Sequence, residues 1–282
     1  MHAEESSEIV DGAGTIDLQE EGSHGALLLH GFGDTPQTLT LLAKRLKAAR
    51  YGVYAPLLPG HGRSINAFTK SGADEWAEAA RTAFAEMRRR HRSVSVVGLS
   101  MGGALAVALA AEVGDLPALV LIAPYIEMPR SLRAAASTHW LWGRFAGKMS
   151  AQNLQSIHDP IEREKSLAYG SVTGSALYQL LKVVRRARKA LPSVTAPTLL
   201  IQSRDDPRCL PRGAEQAIRK LGAREKKLVW TEGAGHVITV DYGRERVYAE
   251  VRSWLDTYAR GGRGREGDKG GAAAAADSRA AT

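Results

Sequence analysis

The chain contains one cysteine, Cys209, in 282 residues. A single thiol excludes an internal disulfide and argues against a cysteine-built metal centre. Also missing is any apolar run close to the roughly 20 residues that cross a bilayer. Residues 1–25 carry Glu4, Glu5 and Glu8 where a secretory leader needs basic and then apolar residues. The expectation is a cytoplasmic protein without stable membrane insertion. Aromatic residues make up only 6% of the chain, so a local cluster of them carries information. No internal repeat is present. The charge is unbalanced, with a formal net charge of +8. Much of it falls in Arg88–Arg90 with Arg92 and in the run from Lys182 to Lys189. Both runs lie near the ends of expected helices, where cations suit the macrodipole. Neither is interleaved with the aromatic residues that a base-stacking platform needs. The basic balance therefore reads as a surface property, and no nucleic-acid partner is expected.

The most informative stretch is Val94-Ser95-Val96-Val97-Gly98-Leu99-Ser100-Met101-Gly102-Gly103. A valine-rich strand runs into Gly-x-Ser-x-Gly, and Ala104 to Ala111 continues as a helix. Strand, sharp turn and helix in that order are the setting of a nucleophile elbow. A strained turn of this kind leaves no room for side chains at Gly98 and Gly102.

Strands and helices alternate around it. Ala26–Leu29, Gly52–Pro56, Leu119–Ala123, Thr198–Gln202 and Lys227–Thr231 read as strands, with a short one possible at Thr15–Gln19. Helices are expected from Pro36 to Ala49, Asp74 to Arg90, Gly213 to Leu221 and Arg244 to Ala259. Continuous apolar runs such as Leu27-Leu28-Leu29 suit a parallel sheet covered on both faces. From Tyr125 to about Leu191 no strand-like run occurs, and Trp140, Trp142, Phe145, Met149 and Tyr178 recur at helical spacings. The pattern is α/β, a doubly wound, mostly parallel sheet interrupted by a helical cap insertion. Residues 1–22 read as a flexible segment, 23–125 and 193–260 as the core, 126–192 as the cap, and 261–282 as a disordered low-complexity tail.

Ser100 needs a base, and the base needs an orienting acid. Of eight histidines, His236 follows the last strand, at the sheet edge where loops converge. His30 and His61 sit in glycine-flanked turns and read as residues bonding the backbone. Asp205 and Asp206 follow strand Thr198–Gln202, and the order Ser, Asp, His is that of hydrolases with this elbow. An oxyanion would find the N–H of Met101 beside the nucleophile and a second N–H, that of Phe32, in the loop after the first strong strand. Trp140, Trp142 and Phe145 are candidate walls of a substrate pocket.

Taken together, Leu27-Leu28-Leu29-His30-Gly31-Phe32, Pro59-Gly60-His61-Gly62, Gly98 to Gly103, Arg204-Asp205-Asp206 and Gly235 to Asp241 resemble the α/β-hydrolases of the bacterial carboxylesterase and monoacylglycerol lipase group. The resemblance covers about residues 25–259. It implies the α/β-hydrolase fold and a serine esterase with Ser100 as nucleophile, His236 as base and Asp206 as acid. Asp206 rather than Asp205 falls on the aspartate of the group's Arg-x-Asp run. It further implies a small-molecule ester substrate, a short- to medium-chain acyl ester or a monoacylglycerol, with neither metal nor organic cofactor. An amidase or carbon–carbon bond hydrolase would use the same residues, and a non-catalytic binding protein of this fold is the alternative from another class.

Overall fold

The computed structural model describes residues 8–20, 24–150 and 154–260, with the backbone alone described for 144–146 and 154. Strands β1 (Ile16–Leu18), β2 (His24–Leu29), β3 (Tyr51–Ala55), β4 (Val94–Leu99) and β5 (Leu119–Ile122) join β8 (Thr198–Ser203) and β9 (Lys226–Thr231) in a seven-stranded sheet. Its order is β1-β3-β2-β4-β5-β8-β9, and every pairing is parallel except β1 with β3. Register places Leu28 opposite Val97, Val97 opposite Val120 and Val120 opposite Leu199.

Alternate residues of each strand feed different cores, because successive side chains leave opposite faces of a pleated strand. Leu27, Leu29, Val96 and Leu121 pack under α3 (Ala73–Arg90), α4 (Met101–Val113) and α8 (Gly174–Ala190). Leu28, Val97, Val120 and Ile201 pack under α1 (Thr40–Ala48) and α10 (Arg244–Leu255). Each such side chain, wholly removed from water, contributes about 1.5–3 kcal/mol. That two-sided burial is why the strand sequences are unbroken apolar runs.

Three details depart from the sequence reading. The N-terminal part is tied down where it is described: β1 pairs with β3, and Val10 N–H donates to Gly62 O at 2.8 Å. Inside the insertion, β6 (Lys148–Ser150) and β7 (Ser171–Thr173) form an antiparallel pair with Met149 opposite Val172. Three-residue strands are too short to show a period of two. The insertion otherwise holds α5 (Arg130–Ser137), α6 (His139–Ala146) and the short α7 (Pro160–Glu164). Helix α8, expected within the cap, buries Leu177, Leu180, Leu181 and Val184 in the same cluster as Ala104, Leu105 and Leu109 of α4. It is thus a core helix. Helices α2 (Ile65–Lys70) and α9 (Pro211–Lys220) complete the set, and the low-complexity tail, 261–282, lies outside the described residues.

Strand order reverses between β2 and β4: β3 lies on one side of β2 and β4 on the other. A crevice opens at such a switch point, outside the carboxyl ends of the strands. The loops that leave β2 and β4 there are 30–35 and the elbow.

Candidate active site

Ser100 stands in the turn between β4 and α4 with φ 55° and ψ −117°, a conformation that side chains other than glycine rarely occupy. Such strain costs on the order of 1–3 kcal/mol and persists only where neighbours enforce it. Here the Ser100 N–H donates to Ile122 O at 2.9 Å, and its carbonyl accepts from Ala104 N and Tyr125 N. A Cβ on Gly102 would be driven into the carbonyl of Leu29, and one on Gly98 into the carbonyl of Gly102. Gly102 therefore lets the elbow lie against β2, and Gly98 lets the first turn of α4 fold back onto β4.

His236 meets Ser100 from the loop after β9. Its Nε2 lies 2.8 Å from Ser100 Oγ, and its Nδ1 lies 2.8 Å from Asp206 Oδ2. A carboxylate can only accept, so Nδ1 carries the proton and Nε2 is left to accept from the serine hydroxyl. Asp206 extends from the end of β8 and is fully engaged. Gln202 Nε2 donates to the same Oδ2 at 2.8 Å, while the N–H groups of Arg208 and Cys209 donate to Oδ1 at 2.7 and 2.9 Å. Burial pushes the Asp206 carboxyl up, but its attraction for an imidazolium at His236, the bond from that ring and the amides of Cys209 and Arg208 outweigh it and hold it below the usual carboxylate range. Asp205 points elsewhere. It is exposed, and its Oδ2 accepts from Gly233 N at 2.7 Å, tying the end of β8 to the loop after β9.

The loop after β2 is held by a buried imidazole. Leu58 N–H donates to His30 Nε2 at 3.0 Å, so His30 Nδ1 is the protonated nitrogen and donates to Gly31 O at 2.9 Å. Burial lowers its pKa to about 4, which keeps the ring neutral in that bonding pattern. His61 packs edge-on to it, ring centroids 5.0 Å apart, with Nδ1 3.1 Å from Pro59 O. Both histidines thus bond backbone, as expected. Phe32 borders the cavity, half-buried, its ring edge-on to Phe68 at 4.9 Å. Met101 is the first residue of α4, where helix geometry leaves the N–H without an intrahelical acceptor.

Above these groups lies a cavity of about 480 Å³, in the range of small-molecule sites. Phe32, Tyr125, Leu132, Met149, Tyr169 and Val172 line it together with Leu177 and Leu180 of α8, and Ser100 and His236 open onto the same cavity. The cap aromatics singled out from sequence do not take this place. Trp140 is 66% exposed. Trp142 packs its ring over Gly174 and donates Nε1–H to Ala135 O at 2.9 Å. The side chain of Phe145 lies outside the described residues. Helical spacing alone says neither whether a side chain is covered nor which neighbour covers it.

Several contributors were not assigned from sequence. Asp34 borders the cavity, with its carboxylate accepting from Thr35 N and Thr38 Oγ1, both at 2.8 Å. Burial raises its pKa to about 6 against those two donors. Gln202 is the polar end of an apolar strand, and that polarity inside a buried run is the signal that could have found it. Asp206, Cys209 and His236 also bring three potential metal-ligand atoms within 4.8 Å of one another. Burial pushes the Cys209 thiol well above its ordinary range and its Sγ–H turns to Ala123 O, while Asp206 and His236 bond each other, so the trio is poorly suited to ligation.

A serine on a strand-to-helix elbow, an acid after a later strand and a histidine beyond the last strand, all at one edge of a mostly parallel sheet, define an α/β-hydrolase. The chain belongs to the serine aminopeptidase, S33, family (Hydrolase_4), whose model matches residues 24–242. It is similar to the thermostable monoacylglycerol lipase of Bacillus sp. (strain H-257), 28% identical over 81% of this chain and 88% of that protein. The carboxylesterase of Bacillus subtilis (strain 168) is 25% identical over 83% and 93%. Among solved structures, one of the metagenome-derived lipolytic enzymes LipS and LipT superposes with a TM-score of 0.80 at 27% identity, covering 89% of this chain and all of that one. Among the described residues, no helix is long and apolar enough to cross a membrane.

Proposed function

We propose that the protein hydrolyses carboxylic esters, short- to medium-chain acyl esters or monoacylglycerols, through an acyl-enzyme on Ser100. The observation that carries this reading is the unbroken relay Ser100 Oγ, His236, Asp206 with both links at 2.8 Å, bordering a cavity with mostly apolar walls. His236 Nε2 takes the hydroxyl proton as Oγ attacks the ester carbonyl, and Asp206 stabilises the imidazolium that results. The backbone N–H groups of Phe32 and Met101 receive the oxyanion, helped by the positive end of α4. His236 then protonates the departing alcohol. Water, activated by the same imidazole, releases the acid and restores the serine. The two similar Bacillus proteins, a monoacylglycerol lipase and a carboxylesterase, support esters over amides.

The test is a substrate panel of p-nitrophenyl esters of increasing chain length, monoacylglycerols and matched anilides. Ester turnover that is lost in Ser100→Ala supports the reading. Preferential cleavage of the anilides would redirect it to an amidase or peptidase, and no turnover of either class would defeat it.

A further inference from the structure

Asp241 is wholly buried, and nothing in the hydrolytic relay uses it. All its partners are backbone N–H groups from two separate parts of the chain. Oδ2 accepts from Gly235 N at 2.7 Å and His158 N at 2.8 Å. Oδ1 accepts from Asp159 N at 2.9 Å and Tyr242 N at 2.8 Å. One donor therefore comes from the residue immediately before His236, and two come from the insertion.

The same joint is closed from the other side. The amides of His236 and Val237 both donate to the carbonyl of Ser156, at 2.8 and 3.0 Å. His158 Nδ1 lies 3.0 Å from Gly233 O. Three successive N–H groups, those of Gly235, His236 and Val237, are thus each bonded to the insertion or to Asp241. A Cβ on Gly235 would collide with the carbonyl of Gln155, so the two segments are in backbone contact. Asp241 bonds backbone amides of both segments at once; Arg244 also reaches across, from Asp159 Oδ2 to Val240 O, but through no amide of the His236 loop.

We infer that Asp241 is a positioning residue for His236, clamping the loop that carries the base to residues 156–159 so that Nε2 stays aimed at Ser100. The cap's base is then part of the catalytic frame as well as a cover over the cavity. The inference rests on the proposed roles of Ser100 and His236. A misplacement of a reacting group by about 1 Å costs on the order of a hundredfold in rate. An asparagine at 241 has nearly the same shape but one acceptor oxygen, and its NH2 would face two N–H donors.

The test measures kcat, KM and Tm of the full-length chain on a p-nitrophenyl ester, with the phosphonylation rate of Ser100 as a second readout. Asp241→Asn is expected to lower kcat by roughly 10- to 100-fold, leave KM within twofold and slow phosphonylation in parallel, at a temperature well below its Tm. Arg244→Ala cuts the 3.3 Å ion pair to Asp159 and the 2.8 Å bond to Val240 O without touching the amides of Gly235, His236 and Val237. It should lower Tm and leave kcat unchanged. If Asp241→Asn does not fold, Gly235→Ala, which forces the same joint open from the loop side, is judged by the same split. Wild-type kcat in either folded variant, or a change confined to KM or Tm, overturns the inference. Retained activity in Ser100→Ala or His236→Ala would instead defeat the underlying functional reading, so the two failures are distinguishable.

Discussion

Asp34 offers a quantitative test of the cavity's electrostatics. The residue is 6% exposed, and its pKa stands at about 6 against an ordinary 3.8, because burial outweighs the bonds from Thr38 and Thr35. A group whose folded pKa is raised binds its proton more tightly folded than unfolded. Stability therefore falls as pH rises from about 4 to about 6, and the full penalty persists above that window. A tenfold change in proton affinity is worth about 1.4 kcal/mol, which makes the penalty of ionised Asp34 about 3 kcal/mol. Asp34→Asn keeps the acceptor for Thr35 N, and Thr38 Oγ1 retains its 3.1 Å bond to Thr35 O. The variant should then be more stable than wild type by about 1–3 kcal/mol at pH 7.5 and lose that advantage towards pH 4. Urea unfolding across this range, followed by circular dichroism, measures the difference directly. A difference that does not vary with pH, or an asparagine variant less stable at pH 7.5, would refute the reasoning.

Asp206→Asn should reduce kcat by roughly 10⁴-fold with the fold intact, as when a triad acid is lost. Asp205→Asn keeps an oxygen for Gly233 N and should stay within a few-fold, so kcat for the pair decides between the two aspartates. Gln202→Met removes a donor from the oxygen that His236 shares, leaving the Asp206 charge less satisfied and the imidazolium better stabilised. The acidic limb of the pH profile of kcat/KM should move upward, and a downward move would contradict the bonding described. Leu177→Trp or Leu180→Trp should shorten the preferred acyl chain, whereas Trp140→Ala, at an outward position, should leave the chain-length profile unchanged; a panel of p-nitrophenyl esters separates the two cases.

The elbow was legible in the sequence because its demands are local. Gly98 and Gly102 flank Ser100 at fixed offsets, and the valines before it match a strand covered on both faces. His236 stands out by its place after the last strand, whereas the end of the strand before offers Asp205 and Asp206 alike, and only the resemblance to the Arg-x-Asp run points to Asp206. What escaped depends on segments distant in sequence. Ser156 reaches the His236 amide across 80 residues, and Asp241 reaches Asp159 across 82. No periodicity records such bonds. Gln202 was hidden inside a strand pattern that its neighbours dominate. The cap was misread in part because α8 carries the apolar stripe of a core helix directly after a short ribbon without sequence signal. The charged run at the end of α8 is a surface matter, as expected for Lys182 and Arg186. Both reach Asp74 on α3, at 2.9 and 2.5 Å. Exposed pairs of this kind contribute at most about 1 kcal/mol.

The central claim is that Ser100, activated by His236, becomes the covalent carrier of the acyl group. Intact-mass and peptide mass spectrometry after exposure to a fluorophosphonate tests it most directly. The account predicts one adduct per chain, on the peptide containing Ser100, absent from Ser100→Ala and formed at least a thousandfold more slowly in His236→Ala. An adduct on any other residue, or labelling of Ser100 at the wild-type rate without His236, would contradict it.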